Sequence, residues 1–214
     1  MSGINYKSVR VKFEKTGLAK YISHLDLNRL FARAVARAGI EAAHSEGFNP
    51  RTKIVFASAI PLGIESLCEF ADIKINEAET ETQIFEKFRY VFPQGINIIE
   101  IYEPVNNFKY IDKTRFNIFV KPDGFQTEEL ELLFNGDVFV EKKQGAIINL
   151  KDYIVAVNAS ASGEYIKINA LVRTNREMYL NPENIVKGIN SKYAVEDYFI
   201  KKIEVYDKNN KIFR

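Results

Sequence analysis

Two side chains near the start of a predicted helix have the chemistry of a proton-transfer pair. His24 follows Ser23, which is placed to cap that helix, and Tyr21 lies three positions before His24. A histidine in the first turn lies at the positive end of the helix dipole, which favours the neutral imidazole that a general base needs. His24 is therefore a candidate base, with Tyr21 or Lys20 as further proton-transfer candidates. The alternative is that His24 only packs against its neighbours or caps the turn.

Arginine recurs at every fourth position of the same helix, at Arg29, Arg33 and Arg37. This spacing places the three guanidinium groups on one helical face, opposite the apolar stripe. Such a row can contact successive phosphates of a nucleic acid. The alternative is an ordinary solvated face on which Asp26 and Glu41 partly neutralise the arginines.

Residues 45–53 read SEGFNPRTK and form a turn that leads into an apolar strand. Gly47 and Asn49 both tolerate positive φ, so successive backbone amides of this turn could form an anion-binding concavity. The turn is not a phosphate-binding loop, since G-x-x-x-x-G-K-[ST] is absent. The sequence also lacks G-x-G-x-x-G, H-E-x-x-H, C-x-x-C and G-x-S-x-G, and so contains no recognised catalytic signature.

Three side chains of this turn suit a nucleic acid. Arg51 and Lys53 alternate onto one side of the following strand, and Phe48 offers an aromatic face on which a base can stack. The alternative is a structural turn in which Phe48 plugs the core. Loops carry function disproportionately, so both interpretations stay open.

Metal and cofactor sites find little support in the sequence. Cys68 is the one cysteine, which excludes an internal disulfide and any metal or iron–sulfur site built from cysteines of this chain. His24 and His44 supply at most half of a metal site, and no third ligand accompanies them. We therefore expect no metal and no cofactor.

The net charge of +2 conceals an asymmetry along the chain. Residues 1–53 carry ten Lys and Arg against four Asp and Glu, and residues 54–104 carry three against nine. A basic segment in a near-neutral protein is compatible with a local nucleic-acid surface, but not with strong non-specific binding. No apolar run approaches the roughly 20 residues of a membrane span, and no signal peptide is evident. We expect a cytoplasmic protein that does not bind membranes.

Alternation and helical spacing predict a β-α-β-β-α-β order for the first half of the chain. Residues 6–14 alternate polar and apolar side chains like a strand, and residues 15–17 form a turn. The first helix should begin after Ser23 and end at Gly39. The other predicted elements are strands at 53–60, 67–75 and 96–102 and a helix at 80–92.

The second half repeats this order with one added pair of short strands. Pro182 is predicted as the first residue of its second helix, which ends at about residue 190. The other predicted elements are a helix at 127–134 and strands at 114–121, 138–141, 146–150, 154–159, 165–172 and 198–206.

The β-α-β-β-α-β order is that of the ferredoxin-like fold. We therefore predict an α+β protein with two tandem ferredoxin-like (βαββαβ) domains and antiparallel sheets, at residues 1–104 and 113–214, the second with an added hairpin. The polar connector at residues 103–113 marks the boundary. No strong sequence repeat accompanies the element order.

Two segments carry a family resemblance: YISHLDLNRLFARAVARAGI at residues 21–40 and SEGFNPRTKIVFASAIPLGIES at residues 45–66. They resemble the bacterial radical-SAM-linked protein family of unknown function. Its members occur beside, or fused behind, radical S-adenosylmethionine enzymes, often near ribonuclease G and ribosomal-protein genes. Because the cluster-binding C-x-x-x-C-x-x-C motif is absent here, the resemblance implies a stand-alone accessory partner of such an enzyme.

The expected function is an RNA-associated accessory module, itself non-catalytic, that works with a radical S-adenosylmethionine enzyme in tRNA or rRNA modification or processing. Its candidate RNA or anion contacts are Arg29, Arg33, Arg37, Phe48, Asn49, Arg51 and Lys53. One alternative is a metal-independent endoribonuclease in which His24 deprotonates a ribose 2′-hydroxyl, as the element order also resembles the CRISPR repeat-processing endoribonucleases. The other alternative is a protein-only adaptor, which should expose an apolar patch.

Overall fold

The computed structural model describes residues 5–58, 60–142 and 145–214. The fold is mixed α+β, with four α-helices and ten strands in these residues, which confirms the predicted class. The chain divides into two compact units. The first contains the described residues up to Asn107 together with Arg214, and the second is Phe108–Phe213.

The first unit has a four-stranded antiparallel sheet and two α-helices. Its sheet order is β4-β1-β3, and β2 pairs with β3. The elements are β1 (Tyr6–Lys15), α1 (His24–Arg37), β2 (Ile54–Phe56), β3 (Glu65–Asn76), α2 (Glu81–Phe88) and β4 (Ile96–Tyr102).

Helix α1 begins and ends where its sequence predicts. The Ser23 hydroxyl accepts a hydrogen bond from the Asp26 amide at 3.1 Å, as an N-cap does. Gly39 follows the helix with a φ of 63°, the left-handed conformation that favours glycine at this position. The apolar stripe of the helix is buried, through Leu27, Phe31, Ala34 and Val35.

Aromatic rings form the centre of this unit's core. Phe31 of α1 is fully buried. Its ring centroid lies 4.8 Å from that of Phe13, 5.2 Å from that of Phe56 and 4.8 Å from that of Phe92. Because it contacts a ring from β1 and a ring from β2, Phe31 fixes α1 on the sheet beside the candidate functional residues.

Three predicted boundaries in this unit are wrong. The predicted turn at 15–17 is the end of β1 followed by a 3-10 helix, Gly17–Tyr21. The predicted strand at 53–60 is only the three residues of β2, and Ala59 lies outside the described residues. The predicted helix at 80–92 ends at Phe88; Pro93 disfavours a helical conformation at Phe92, and Phe92 packs on Phe31.

The second unit has the sheet order β10-β5-β9-β8 and a separate antiparallel pair, β6-β7. The strands are β5 (Ile111–Pro122), β6 (Phe139–Glu141), β7 (Ile147–Asn149), β8 (Ile154–Ser162), β9 (Tyr165–Arg173) and β10 (Val195–Asp207). The helices are α3 (Thr127–Asn135) and α4 (Glu183–Asn190), and Pro182 is the N-cap of α4 instead of its first residue. Strand β8 is longer than predicted, since its turn is made by Gly163 and Glu164 alone.

Helix α4 packs very closely on the segment that contains the β6-β7 hairpin. A Cβ atom built on Gly188 would lie 2.7 Å from Leu150 Cδ1 and 2.9 Å from Val138 Cγ1. The Leu150 amide donates to the Val138 carbonyl at 2.9 Å, so both side chains are fixed at the base of the hairpin. Only glycine fits at position 188 without displacing them.

Candidate functional site

The segment that precedes α1 is held by bonds from two neighbouring segments. Residues Gly17–Tyr21 form the 3-10 helix. The Gly63 amide donates to the Lys20 carbonyl at 3.1 Å. From β1, the Lys15 ammonium donates to the Ile22 carbonyl at 2.9 Å. The backbone that leads into the candidate base His24, on both sides of Tyr21, is therefore fixed.

Both candidate proton-transfer side chains are exposed at this end of α1. The His24 ring packs edge-on against Phe56, with the ring centroids 5.5 Å apart. Tyr21 is 60% exposed, and the Lys20 ammonium lies 5.3 Å from the centre of its ring. Among the described residues, no hydrogen bond orients the imidazole or the phenol. The structure thus places His24 and Tyr21 in the same region without joining them into a hydrogen-bonded pair.

A buried positive charge at Lys15 adjoins this segment, and sequence reasoning missed it. Lys15 is 2% exposed, and burial lowers the pKa of its ammonium group, although the charge of the buried Glu69 opposes this effect. The available signal was the two-residue period of β1, because Phe13 and Lys15 are two positions apart and both are buried. The sequence pattern instead placed Lys15 in the turn at residues 15–17.

The arginines of α1 are all exposed. Arg29 pairs with Asp26 at 3.1 Å. Hydrogen bonds from Ser23 and Arg29 hold the pKa of the Asp26 carboxyl below its usual range, and the charge of Arg33 adds to this effect. Arg33 and Arg37 have no ion pair with any residue that the structure describes. We call Arg29, Arg33 and Arg37 the arginine row.

A braced hairpin carries residues 46–50, which we call the tip loop. The Ser45 amide donates to the Arg51 carbonyl at 2.8 Å, and the Arg51 amide donates back to the Ser45 hydroxyl at 3.0 Å. One step further, the Lys53 amide donates to the Ala43 carbonyl at 2.8 Å. Bonds on both sides of its base therefore fix where the tip loop projects.

The tip loop is exposed throughout. Phe48 is fully exposed, so the interpretation that it plugs the core is wrong. Gly47 has the expected positive φ, 114°, but Asn49 is not among the positive-φ residues. The expectation for Asn49 fails because Asn49 precedes Pro50, and a residue before proline is biased towards extended backbone.

Several charged side chains of the basic N-terminal segment are engaged within the unit and do not add to an exposed surface. Their pairs are Lys7 with Glu81 at 3.1 Å, Arg10 with Asp72 at 2.7 Å, and Glu41 with Asn76 at 2.7 Å. Glu41 therefore bonds to an amide and does not neutralise the arginine row. The cations of this segment that have no ion pair among the described residues include Arg33, Arg37, Arg51 and Lys53.

The two histidines are not part of a cluster of metal-ligand type. His44 Nε2 lies 3.5 Å from the Thr52 hydroxyl. Within residues 5–58, 60–142 and 145–214, no three His, Cys, Asp or Glu side chains lie together as a metal ion would require. None of the helices in these same ranges has the length and apolar character needed to cross a membrane.

A family match covers most of the sequence. Residues 8–182 match the family described as "Uncharacterized protein conserved in bacteria" (DUF2344). The chain belongs to this family. No curated protein has a matching sequence. The resemblance to a bacterial family of unknown function is thus confirmed, whereas its link to radical S-adenosylmethionine enzymes stays a prediction.

Two solved structures match this DUF2344 protein, and the first of them shows a likeness of fold. A chain in the crystal structure of a Cbf5-Nop10-Gar1 complex matches with a TM-score of 0.50 at 5% identity, over 92% of this chain and 48% of that one. The DUF2344 chain thus spans about half the length of that chain. The crystal structure of an unknown protein from Galdieria sulphuraria matches with a TM-score of 0.27 at 11% identity, over 92% of this chain and 99% of that one.

The predicted contact residues of this DUF2344 chain fall into two exposed groups. One group is the arginine row on α1. The other is the tip loop with Phe48 and Asn49, together with Arg51 and Lys53 at and beside its base. The family-like segments at residues 21–40 and 45–66 carry both groups.

Proposed function

We propose that this protein is an accessory RNA-binding module, itself non-catalytic, that works with a radical S-adenosylmethionine enzyme in tRNA or rRNA modification or processing. The observation that carries the proposal is Phe48, fully exposed at the end of a braced loop. A phenylalanine in this position contributes nothing to the core, whereas an unpaired base can stack on its ring. Arg51 and Lys53 are exposed beside the loop and can contact the neighbouring phosphates.

The bracing of the tip loop favours this use. The bonds of Ser45 with Arg51 and of Lys53 with Ala43 hold the loop's base in one geometry. A loop that is already ordered loses less conformational entropy when it binds a partner. Phe48 can thus be presented to a base at a low entropic cost.

The arginine row supplies a second set of phosphate contacts. A spacing of four residues places successive arginines about 6 Å apart along the helix axis. Guanidinium groups form paired hydrogen bonds with phosphate oxygens, and such contacts position a nucleic acid without reading its sequence. Arg33 and Arg37 are exposed and have no ion pair within the described chain, so their charges are available to an RNA.

The assignment of a non-catalytic role follows from His24. A general base is usually oriented by a further group, and no described residue bonds to this imidazole. We therefore assign the chemistry to a partner. The choice of a radical S-adenosylmethionine enzyme as partner rests on the resemblance of residues 21–40 and 45–66.

We also infer that the two units are ferredoxin-like domains in tandem. Each unit has strands and helices in the order β-α-β-β-α-β once the β6-β7 hairpin is set aside. The sheet orders β4-β1-β3-β2 and β10-β5-β9-β8 correspond strand for strand. This correspondence supports a duplication in which the second copy gained a hairpin.

The experiment is to replace Arg51 and Lys53 together by alanine and to measure RNA affinity against salt concentration. If both contact phosphates, the slope of log K against log[salt] should become shallower by about 1–2 units. The matched control is Lys208→Ala with Lys211→Ala, which removes the same charge from two exposed lysines of the second unit. Unchanged affinity and slope in the Arg51 and Lys53 variant would overturn the RNA proposal and favour the protein-only adaptor.

A pull-down from bacterial extract with the tagged wild-type protein tests the partner. We expect a radical S-adenosylmethionine enzyme and a defined tRNA or rRNA to be recovered together. Recovery of the enzyme without RNA, unaffected by ribonuclease, would favour the adaptor. Recovery of RNA without such an enzyme would remove the partner from the proposal and leave the RNA interface in place.

A further inference from the structure

The second unit contains a pocket of about 410 Å³ at the start of α4. Its walls are Lys142 after β6, the loop between β9 and α4, and the first turns of α4 itself. Its volume lies within the roughly 300–1,000 Å³ of small-molecule sites. None of the residues that we assign to the RNA interface takes part in it.

Three cations line this α4 pocket, and none has an ion pair among the described residues: Lys142, Arg176 and Lys187. The Lys142 ammonium donates to the Tyr153 hydroxyl and to the Tyr179 carbonyl, each at 3.3 Å. The Lys187 ammonium donates to a backbone carbonyl at 3.4 Å. Neutral acceptors thus hold the two lysines in place without cancelling their charge.

Two carboxylates also line the pocket, those of Glu177 and Glu183. Glu183 Oε2 accepts a hydrogen bond from the Asn181 amide at 3.2 Å, so a neutral donor engages this carboxylate. Three cations against two carboxylates leave the pocket with a net positive charge. An anion is therefore the favoured ligand.

The Asn184 side chain points to a ligand independently of this charge. Asn184 is 5% exposed and lines the pocket, and its side-chain amide has no hydrogen bond to any described residue. This amide is not among the described side-chain atoms that are sealed from solvent without a partner, so it stays accessible from the pocket. An occupant with its own donor or acceptor can bond to it there.

The loop that carries Arg176 is ordered by Asn175. Asn175 Oδ1 accepts hydrogen bonds from the Glu177 amide at 3.0 Å and the Met178 amide at 2.8 Å. Its Nδ2 donates to Asp112 Oδ1 at 2.8 Å. The backbone at Arg176 is thereby fixed, which holds the residue at the edge of the pocket.

We propose that the α4 pocket binds a phosphomonoester. Lys142, Arg176 and Lys187 would contact its phosphate group, and Asn184 would bond to a polar group elsewhere on the same ligand. Arginine and lysine together suit a phosphate dianion, since one supplies a planar fork and the other a point charge. The Asn184 amide offers both a donor and an acceptor, which matches the edge of a nucleobase or a sugar hydroxyl. This site is independent of the proposed RNA interface, and either can fail without the other.

The experiment titrates the full-length protein with adenosine monophosphate, inorganic phosphate and adenosine, and follows amide chemical shifts and heat of binding. We expect adenosine monophosphate to bind most tightly, inorganic phosphate more weakly and adenosine not at all. Arg176→Gln with Lys187→Gln should weaken the binding of the monophosphate at least about tenfold, because charge-assisted hydrogen bonds are lost. Lys192→Gln is the control for a change of charge on an exposed lysine outside the pocket, and it should have no effect.

Asn184→Asp keeps the shape of the side chain but adds a negative charge, and it should also weaken binding of the monophosphate. If this variant does not fold, the double variant of Arg176 and Lys187 decides the question alone. Equal binding of adenosine and its monophosphate would overturn the proposal. So would inorganic phosphate that binds as tightly as the monophosphate, or an equal loss of binding in Lys192→Gln.

Discussion

Replacing Phe48 by alanine should separate RNA binding from folding. The side chain is fully exposed, so its removal opens no cavity and exposes no apolar surface that was buried. Surface substitutions of this kind change the free energy of unfolding by less than about 0.5 kcal/mol. Phe31→Ala is the contrasting case, because it removes a fully buried ring and should cost about 3–5 kcal/mol.

The effect of Phe48→Ala on RNA affinity should be large by comparison. Stacking of one base on an aromatic ring contributes about 1–3 kcal/mol. At about 1.4 kcal/mol for each tenfold change, loss of this contact should weaken binding roughly 5- to 150-fold. The salt dependence should stay as in the wild type, because Phe48 carries no charge. In the Arg51 and Lys53 variant, by contrast, the slope of log K against log[salt] should become shallower.

Fluorescence anisotropy with an unstructured RNA oligonucleotide and with a folded tRNA, beside thermal unfolding of each variant, would measure both effects. Tyr90→Ala is the matched control, since Tyr90 is 81% exposed and lies outside the family-like segments. It should leave both affinity and unfolding unchanged.

Three results would refute the reasoning about Phe48. A loss of affinity below twofold would show that the ring does not contact RNA. A loss of stability above about 1.5 kcal/mol would show that Phe48 contributes to the core, contrary to its exposure. Equal losses of affinity in Phe48→Ala and Tyr90→Ala would show that any exposed ring acts alike.

We expect neither the wild type nor His24→Ala to cleave RNA, and the substitution should change only stability or binding. Metal-independent cleavage by the wild type that leaves 2′,3′-cyclic phosphate ends, and that disappears in His24→Ala, would instead favour the endoribonuclease alternative. Ser23→Ala should raise the pKa of Asp26, measured by NMR titration, more than Arg29→Ala does, because the Ser23 bond contributes most to lowering it. Since the folded pKa lies below the unfolded one, the stabilising effect of Asp26 should be present near neutrality and fall as the pH drops through the folded pKa, below about pH 4. A pKa that does not move in Ser23→Ala would contradict this account.

Local signals in the sequence predicted α1 with both ends, because they act within a few residues. The Ser23 hydroxyl and the Gly39 backbone need only their neighbours to cap or end a helix. The end of α2 combines a local signal with a distant contact. Pro93 disfavours a helical conformation at Phe92, and Phe92 packs against Phe31 in the core. The helical period alone shows neither.

The sequence alone could predict which residues form the candidate site, but not how exposed each side chain is. Exposure of Phe48 depends on how far the hairpin projects, which the bonds at Ser45 and Lys53 decide. The sequence pattern alone could not distinguish a projecting ring from a buried one. For Asn49 the sequence does carry the information, because Pro50 biases the preceding residue towards extended backbone more strongly than asparagine tolerates positive φ.

Charge counts along the sequence overstate the positive charge that is exposed, for a physical reason. Arg10 contributes to the basic N-terminal segment, yet it lies opposite Asp72 in the β1-β3 register and is fully buried. A net charge over a segment does not show which cations a strand partner neutralises. Only the pairing of strands, which is set by contacts distant in sequence, assigns each charge to the interior or to solvent.

Gly188 has a consequence for the mutational tolerance of the second unit. The base of the β6-β7 hairpin rests on α4, where any Cβ atom at position 188 would lie 2.7 Å from Leu150 Cδ1 and 2.9 Å from Val138 Cγ1. A side chain there must push both neighbours aside, so position 188 and the hairpin base should tolerate substitution only together. A smaller residue at position 138 or 150 should therefore rescue a side chain at position 188, although neither position lies near it in the sequence.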